Sequence, residues 1–270
     1  LELLLIFEII SILKKPGFVL GIAISLGACF LLYYAGHDKP GLVEAVDNKT
    51  MDIMFRIRGR QDVTGKVVIV DIDEKSLAQI GQWPWPRNLM ARMTRTLIRS
   101  QVAAVGFDIV FAEPDRTSPV RFFSGLPDSI RKMIPARVGT ALAEDPELDH
   151  DAAFGAALSS GPTVLGYVFQ SMDDGLKRAD ALPFPSIAIR VNPAGLNFSE
   201  LLFIPAYRAV VNHPDVALAQ SEGFFNVFSD ESGTTRQVPL FMSMDQVPYP
   251  SLALEVYRLG STVPEVTLHA

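Results

Sequence analysis

Cysteine is nearly absent from this 270-residue chain. The only one, Cys29, lies inside an apolar segment, so the remainder has no thiol to form a disulfide or to ligate zinc as thiolate. Histidine is scarce as well. His37, His150, His213 and His269 show no metal-ligand spacing and no relation to a serine nucleophile, and read as surface residues. An excess of positive charge is also missing: 24 Lys and Arg face 30 Asp and Glu, a net charge of -6. Within residues 1–35 the charges of Glu2, Glu8, Lys14 and Lys15 cancel, so the acidic excess lies downstream and argues against nucleic-acid binding. Gly106, Gly161 and Gly166 interrupt strand-like runs without forming a G-x-G-x-x-G or Walker pattern, which leaves nucleotides without a signature. No repeat of fixed period is present.

Hydrophobic residues, at 49%, suffice for a substantial core. Phe18 to Tyr34 contains no charge, and extending it back through Pro16 and Gly17 approaches the ~20 residues that span a bilayer. The expectation is an uncleaved transmembrane helix, since YYAGHD offers no A-x-A cleavage site. Lys14 and Lys15 precede it against the lone Lys39 soon after, which favours a cytoplasmic start and an exported domain, although Arg56, Arg58 and Arg60 follow later. Residues 1–13, LELLLIFEIISIL, are almost wholly apolar; joined to the anchor they would make about 51 Å of helix at ~1.5 Å per residue, more than one bilayer covers. Two readings fit: the first part lies along the interface, or it packs against another membrane protein. A start at Leu rather than Met suggests an upstream piece. The expected division is an anchor over residues 1–35 and an exported domain over 36–270.

Further along, Gly41 to Arg60 carries the pattern of a helix leaving the membrane. Lys66 to Asp73 is a continuous β-branched run of the kind buried on both faces of a covered sheet. Ser76 with Gln79 makes a capping box, and Pro86 opens a helix with Leu89, Met90, Met93, Leu97 and Ile98 on one face and Arg92, Arg95 and Arg99 on the other. That basic face, Arg87 included, reads as solvated. Ala103 to Phe111 is the next strand, giving a right-handed β-α-β unit. Glu113 to Glu147 is a long excursion; Asp151 to Ser159 is a small-residue helix and Thr163 to Phe169 a buried strand. Phe224 to Phe228 and Arg236 to Met242 flank SDESGTT as a hairpin, with SLALEVYRL as the closing helix. The expected fold class is α/β: an N-terminal transmembrane helix, then a mostly parallel sheet flanked by helices, with a hairpin near the C-terminus.

Asp71 and Asp73 share a strand face and Asp108 stands late on the neighbouring strand, with Glu113 and Asp115 beyond it at the strand ends, where open α/β sheets bind ligands. Such oxygen clusters suit calcium, magnesium or a ligand amine. They serve equally to cap helices, bond loop amides or pair with Arg87. Asp71 and Asp73 also resemble the D-x-D of a magnesium-dependent phosphatase, but Glu74, Lys75 and Ser76 replace its Gly-Thr turn. Trp83 and Trp85 form either a stacking platform with Arg87 as an anion-binding arm, or a wedge that seats the next helix. No cofactor is expected.

VDIDEKSL, GQWPWPR and AAVGFDIVFAEPD, followed by HDAAFGAALSSGPTVLGY, GFFNVFSDESGTTRQVPLF and YPSLALEVYRL, closely resemble the type-two CHASE domain over roughly residues 40 to 260. The resemblance implies a non-catalytic sensor, periplasmic or extracellular, on a single-pass anchor in a bacterial inner membrane. It further implies later membrane helices and a cytoplasmic output such as a nucleotide cyclase, histidine kinase, diguanylate cyclase or serine/threonine kinase. The chain ends at Ala270 without them, so it is expected to be a C-terminally incomplete fragment or a stand-alone subunit of a membrane complex. The expected partners are the bilayer through residues 1–34, a second copy or a heterologous membrane protein, and an unidentified small molecule. A hydrolase using Asp71 and Asp73 is the third alternative.

Overall fold

A computed structural model describes residues 16–34, 41–173, 175, 188–192, 203–230 and 232–269. The apolar stretch 1–13, Lys14, Lys15, His37, Lys39 and part of the segment 172–222 lie outside the described residues. The chain divides into two compact units, Leu1–Asp71 and Ile72–Ala270.

In the first unit, α1 (Pro16–Tyr34) has 19 residues and no charge, and begins on a proline whose missing N–H costs nothing in a first turn. Val19, Leu20, Ile24, Leu26 and Phe30 are exposed along it. At ~1.5 Å per residue it measures about 28 Å, just under the ~30 Å of bilayer hydrocarbon. Among the described residues no helix is long and apolar enough to cross a membrane. Helix α2 (Gly41–Arg58) places Glu44 in its first turn and Arg56 and Arg58 in its last, complementing the helix dipole. It ends where Gly59, at φ 66, returns its amide to Phe55 O at 3.1 Å.

The run from Lys66 to Asp73 forms no strand, and Val67, Val68, Ile69 and Val70 are 59–87% exposed. This overturns the expected first strand of a β-α-β unit. β-branched side chains suit a pleated, half-buried surface but do not supply the neighbouring strand that makes one.

The second unit opens with α3 (Glu74–Ile80) and α4 (Arg87–Arg99), then β1 (Val105–Phe107). The excursion carries α5 (Pro119–Ser124), α6 (Asp128–Arg131) and α7 (Ala136–Glu144). Next come α8 (His150–Ser159), β2 (Thr163–Gln170), β3 (Ala188–Asn192), β4 (Ile204–Pro205), β5 (Arg208–Val210) and β6 (Ser221–Phe224). The chain closes with β7 (Phe241–Met244), β8 (Val247–Pro250), α9 (Leu252–Gly260) and β9 (Glu265–His269).

Strand β2 organises the main sheet. It pairs in parallel with β1 (Val105 opposite Thr163) and with β6 (Tyr167 opposite Phe224), and antiparallel with β5 (Val168 opposite Val210). Two smaller sheets join β3 to β9 in parallel, and β4 to β7 in parallel with β8 antiparallel to β7. The fold is mixed α/β, and the expected mostly parallel sheet is corrected accordingly. Antiparallel partners such as β7 and β8 need only a short turn, whereas each parallel pair needs a crossover of a dozen or more residues. The hairpin is displaced too. Its tip is Asp245 and Gln246, both at positive φ (52 and 65) as a two-residue type I′ turn requires, and the described residues of SDESGTT, 229–230 and 232–235, lie outside any strand. Within that segment Asp230 bonds Ser232 Oγ and N, Thr234 N and Arg236, and the Ser232 hydroxyl leads in lowering its carboxyl to about 2.

One face of the main sheet carries α4 and α8. Met90, Ala91, Phe107, Phe111, Phe154, Leu158 and Leu165 form this core, with Phe154 edge-on to Phe107 and Phe111 at 5.8 and 5.0 Å. Each fully buried large side chain contributes roughly 1.5–3 kcal/mol. Helix α9 sits so close to the strands that a Cβ on Gly223 would lie 2.6 Å from the Leu252 backbone, and one on Gly106 2.6 Å from Val256 Cγ2. Only glycine admits the helix there. A second core, around Tyr167, Phe169, Phe224, Met242 and Tyr249, joins the main sheet to the hairpin. Two asparagines act as backbone substitutes at the strand ends. Asn212 accepts from Phe111 N at 2.8 Å and donates to Gly166 O at 3.0 Å; Asn226 pairs with both N and O of Phe169, at 2.8 and 2.7 Å.

Candidate functional site

Pro86 fixes the entry to α4 but has no side chain to cap it, so the first amides of the helix need acceptors from elsewhere. Asp115 reaches in from the excursion. Its Oδ2 accepts from Arg87 N at 2.7 Å and from His150 Nδ1 at 3.0 Å, and its Oδ1 from Thr117 N and Oγ1, both at 2.8 Å. Burial pushes this carboxyl up, but the donors from Arg87, Thr117 and His150 together hold it below the ordinary range.

The Arg87 side chain turns inward. Its Nη1 donates to Asp151 Oδ1 at 2.6 Å, Nη2 donates to the Glu113 carbonyl, and the guanidinium lies over the Phe111 ring, 5.1 Å from its centroid. Asp151, whose side chain is 1% exposed, stands in the first turn of α8, where a carboxylate suits the helix dipole, and it also accepts from Asp115 N at 3.0 Å. Arg121 approaches from α5, with Nε 3.8 Å from Asp151 Oδ2 and Nη2 3.3 Å from His213 Nε2. Two guanidiniums thus face the buried Asp151 carboxylate, Arg87 from the interior and Arg121 from the more exposed side, while Asp115 is held by the Arg87 amide, Thr117 and His150. Removing such charges from water costs several kcal/mol per ion, and the arrangement persists because each group is paired and hydrogen-bonded.

Beside this cluster opens a cleft of about 310 Å³ lined by Glu113, Pro114, Asp115, Arg116, Arg121 and Phe122. Its size is at the lower end for small-molecule sites. Arg116 pairs with Glu113 at 2.7 Å; both side chains are largely exposed, so that bridge adds little stability.

Of the residues singled out from the sequence, Arg87, Glu113 and Asp115 come together here. Asp73 lies elsewhere, as the N-cap of α3: its Oδ1 accepts from Ser76 Oγ and N at 2.6 and 2.8 Å, which hold its carboxyl below the ordinary range. Asp108 is exposed, and Asp71, also exposed, closes the first unit. Trp85 is buried in the core and donates its indole N–H to Gly81 O at 2.9 Å, so it presents no face to a ligand; half-buried Trp83 packs edge-on against it at 5.8 Å. Among the described residues no group of three or more His, Cys, Asp or Glu is placed to hold a metal ion. His150 and Arg87 are buried, contrary to their reading as surface groups. Sequence reading missed Asp151, His150 and Arg121 as site residues. The available signal was HDAAF, two polar residues opening an otherwise small and apolar helix.

A family model for the CHASE2 domain matches residues 23–268. The chain belongs to the CHASE2 domain family. CHASE2 domains are sensory, extracytoplasmic and non-catalytic. No curated protein and no solved structure matches the chain. The match extends through the Arg87 and Asp151 cluster and through Gly223 and Asn226, whose roles above are in packing and pairing.

Proposed function

We propose that this chain is the extracytoplasmic sensory domain of a bacterial membrane receptor, working without catalysis or cofactor and held to the membrane through its apolar N-terminal segment. The CHASE2 match carries the reading. It is supported by an uncharged helix α1 whose aliphatic side chains are exposed, a surface that is stable only against lipid or another apolar partner. The cleft bordered by Glu113 and Phe122 is where a small ligand would be read. Such a ligand signals only by binding two arrangements of a domain or a dimer with different affinity. The test is topology: the full chain, produced in bacterial cells, stays in carbonate-washed membranes, and protease added outside spheroplasts digests the region after Ile72. Recovery of the chain in the soluble cytosol would defeat the reading.

A second reading, an accessory subunit of a larger membrane assembly, is favoured by the surplus of apolar sequence in residues 1–13 ahead of α1. Purification in mild detergent separates the two: a subunit co-elutes with heterologous membrane proteins, a receptor domain with copies of itself.

A further inference from the structure

We propose that the cleft bordered by Glu113 and Phe122 binds a small anion, a carboxylate or a phosphate, through Arg116 and Arg121. The proposal deepens the sensory reading and rests on it. It follows from which hydrogen-bonding capacity around the cleft is already spent. Both oxygens of Asp115 accept two donors each, from Arg87, His150 and Thr117. Asp151 is occupied by Arg87 Nη1 and Asp115 N. A cation or a ligand amine would therefore have to displace interior bonds to reach either acid.

The donors are in the opposite condition. A guanidinium carries five N–H groups. Arg116 uses Nη2 on Glu113 at 2.7 Å, and Arg121 uses Nη2 on His213 at 3.3 Å, with Nε only 3.8 Å from Asp151. Both line the same cleft, where Pro114 and Phe122 add apolar surface beside the two guanidiniums. Glu113, at the rim, is the acid an incoming anion displaces from Arg116.

The geometry also gives the anion a route to the fold. Arg121 is the outer neighbour of Asp151, and Asp151 holds Arg87, the first residue of α4. An anion that draws Arg121 outward removes the second, more distant cation from Asp151, which then relies on Arg87 alone. The site and the start of α4 are thereby coupled.

The test is isothermal titration of the full chain in detergent micelles at low ionic strength with sodium phosphate, sodium succinate, calcium chloride and putrescine. Saturable binding of phosphate or succinate is expected, with the two arms distinguishing the sources of anionic charge. Arg116→Gln and Arg121→Gln should each weaken it about ten-fold or more. The Arg116 side chain is 86% exposed and outside the buried cluster, so a loss in Arg116→Gln is not a folding defect. Unchanged affinity in both variants, or binding of calcium or putrescine without either anion, overturns the anion site while leaving a sensor standing. Absence of anion binding in a chain that passes the topology test also overturns it alone.

Discussion

Glu222 is a half-buried carboxylate on β6 with Asn212 Nδ2 at 3.0 Å as its donor. Burial raises its carboxyl above the ordinary range, against the lowering bond from Asn212. The folded state therefore holds the proton more tightly than the unfolded chain. The stabilising contribution is fully present below the unfolded carboxylate value and is lost as pH rises through the raised folded value. Glu222→Gln should thus flatten the fall in stability on going from mildly acidic to neutral pH, and stabilise the protein near pH 7 with no gain in acid. Denaturation midpoints across that range check it. Nothing in the sequence around Ser221, Glu222 and Gly223 marks this residue. Its environment comes from Asn212, ten positions away, and from the sheet. Arg87 is the opposite case: its place at the start of a helix after Pro86 was readable, but its inward turn toward Asp151, 64 positions on, was not.

At the level of elements, amphipathic periodicity located α4 within a residue or two, because one face must be apolar wherever the helix is packed. The closing helix α9 was equally visible, and Ser251 caps it by accepting from Leu254 N at 3.3 Å. Strands were less legible. The most β-like stretch, Val67 to Val70, lies in no strand, while β1 covers only three of the nine residues expected of it. Hydrogen exchange checks this directly. The amides of Val68, Ile69 and Val70 should exchange near their intrinsic rates, and those of Val164 to Tyr167, within β2, at least about a thousand-fold more slowly. Comparable protection in both stretches would show that the 67–70 run is paired.

Across the second unit, one buried cluster ties α4, the excursion and α8 together through Arg87, Asp115, His150 and Asp151. Arg87→Met should destabilise the chain by about 3–5 kcal/mol in urea denaturation, since it strands Asp151 with Arg121 no nearer than 3.8 Å. Asp71→Asn, at an exposed site, should move it by less than about 0.5 kcal/mol. By itself the sequence determined what depends on neighbours in the chain: the helical periods, the caps, the net acidic balance, and the motifs shared with CHASE2 domains. Only the tertiary structure decided which strands pair and in which direction, which acids are spent inside and which arginines line the cleft. Those outcomes depend on burial and on hydrogen bonds between residues as far apart as Phe111 and Asn212, 101 positions, and no local pattern encodes a partner at that distance.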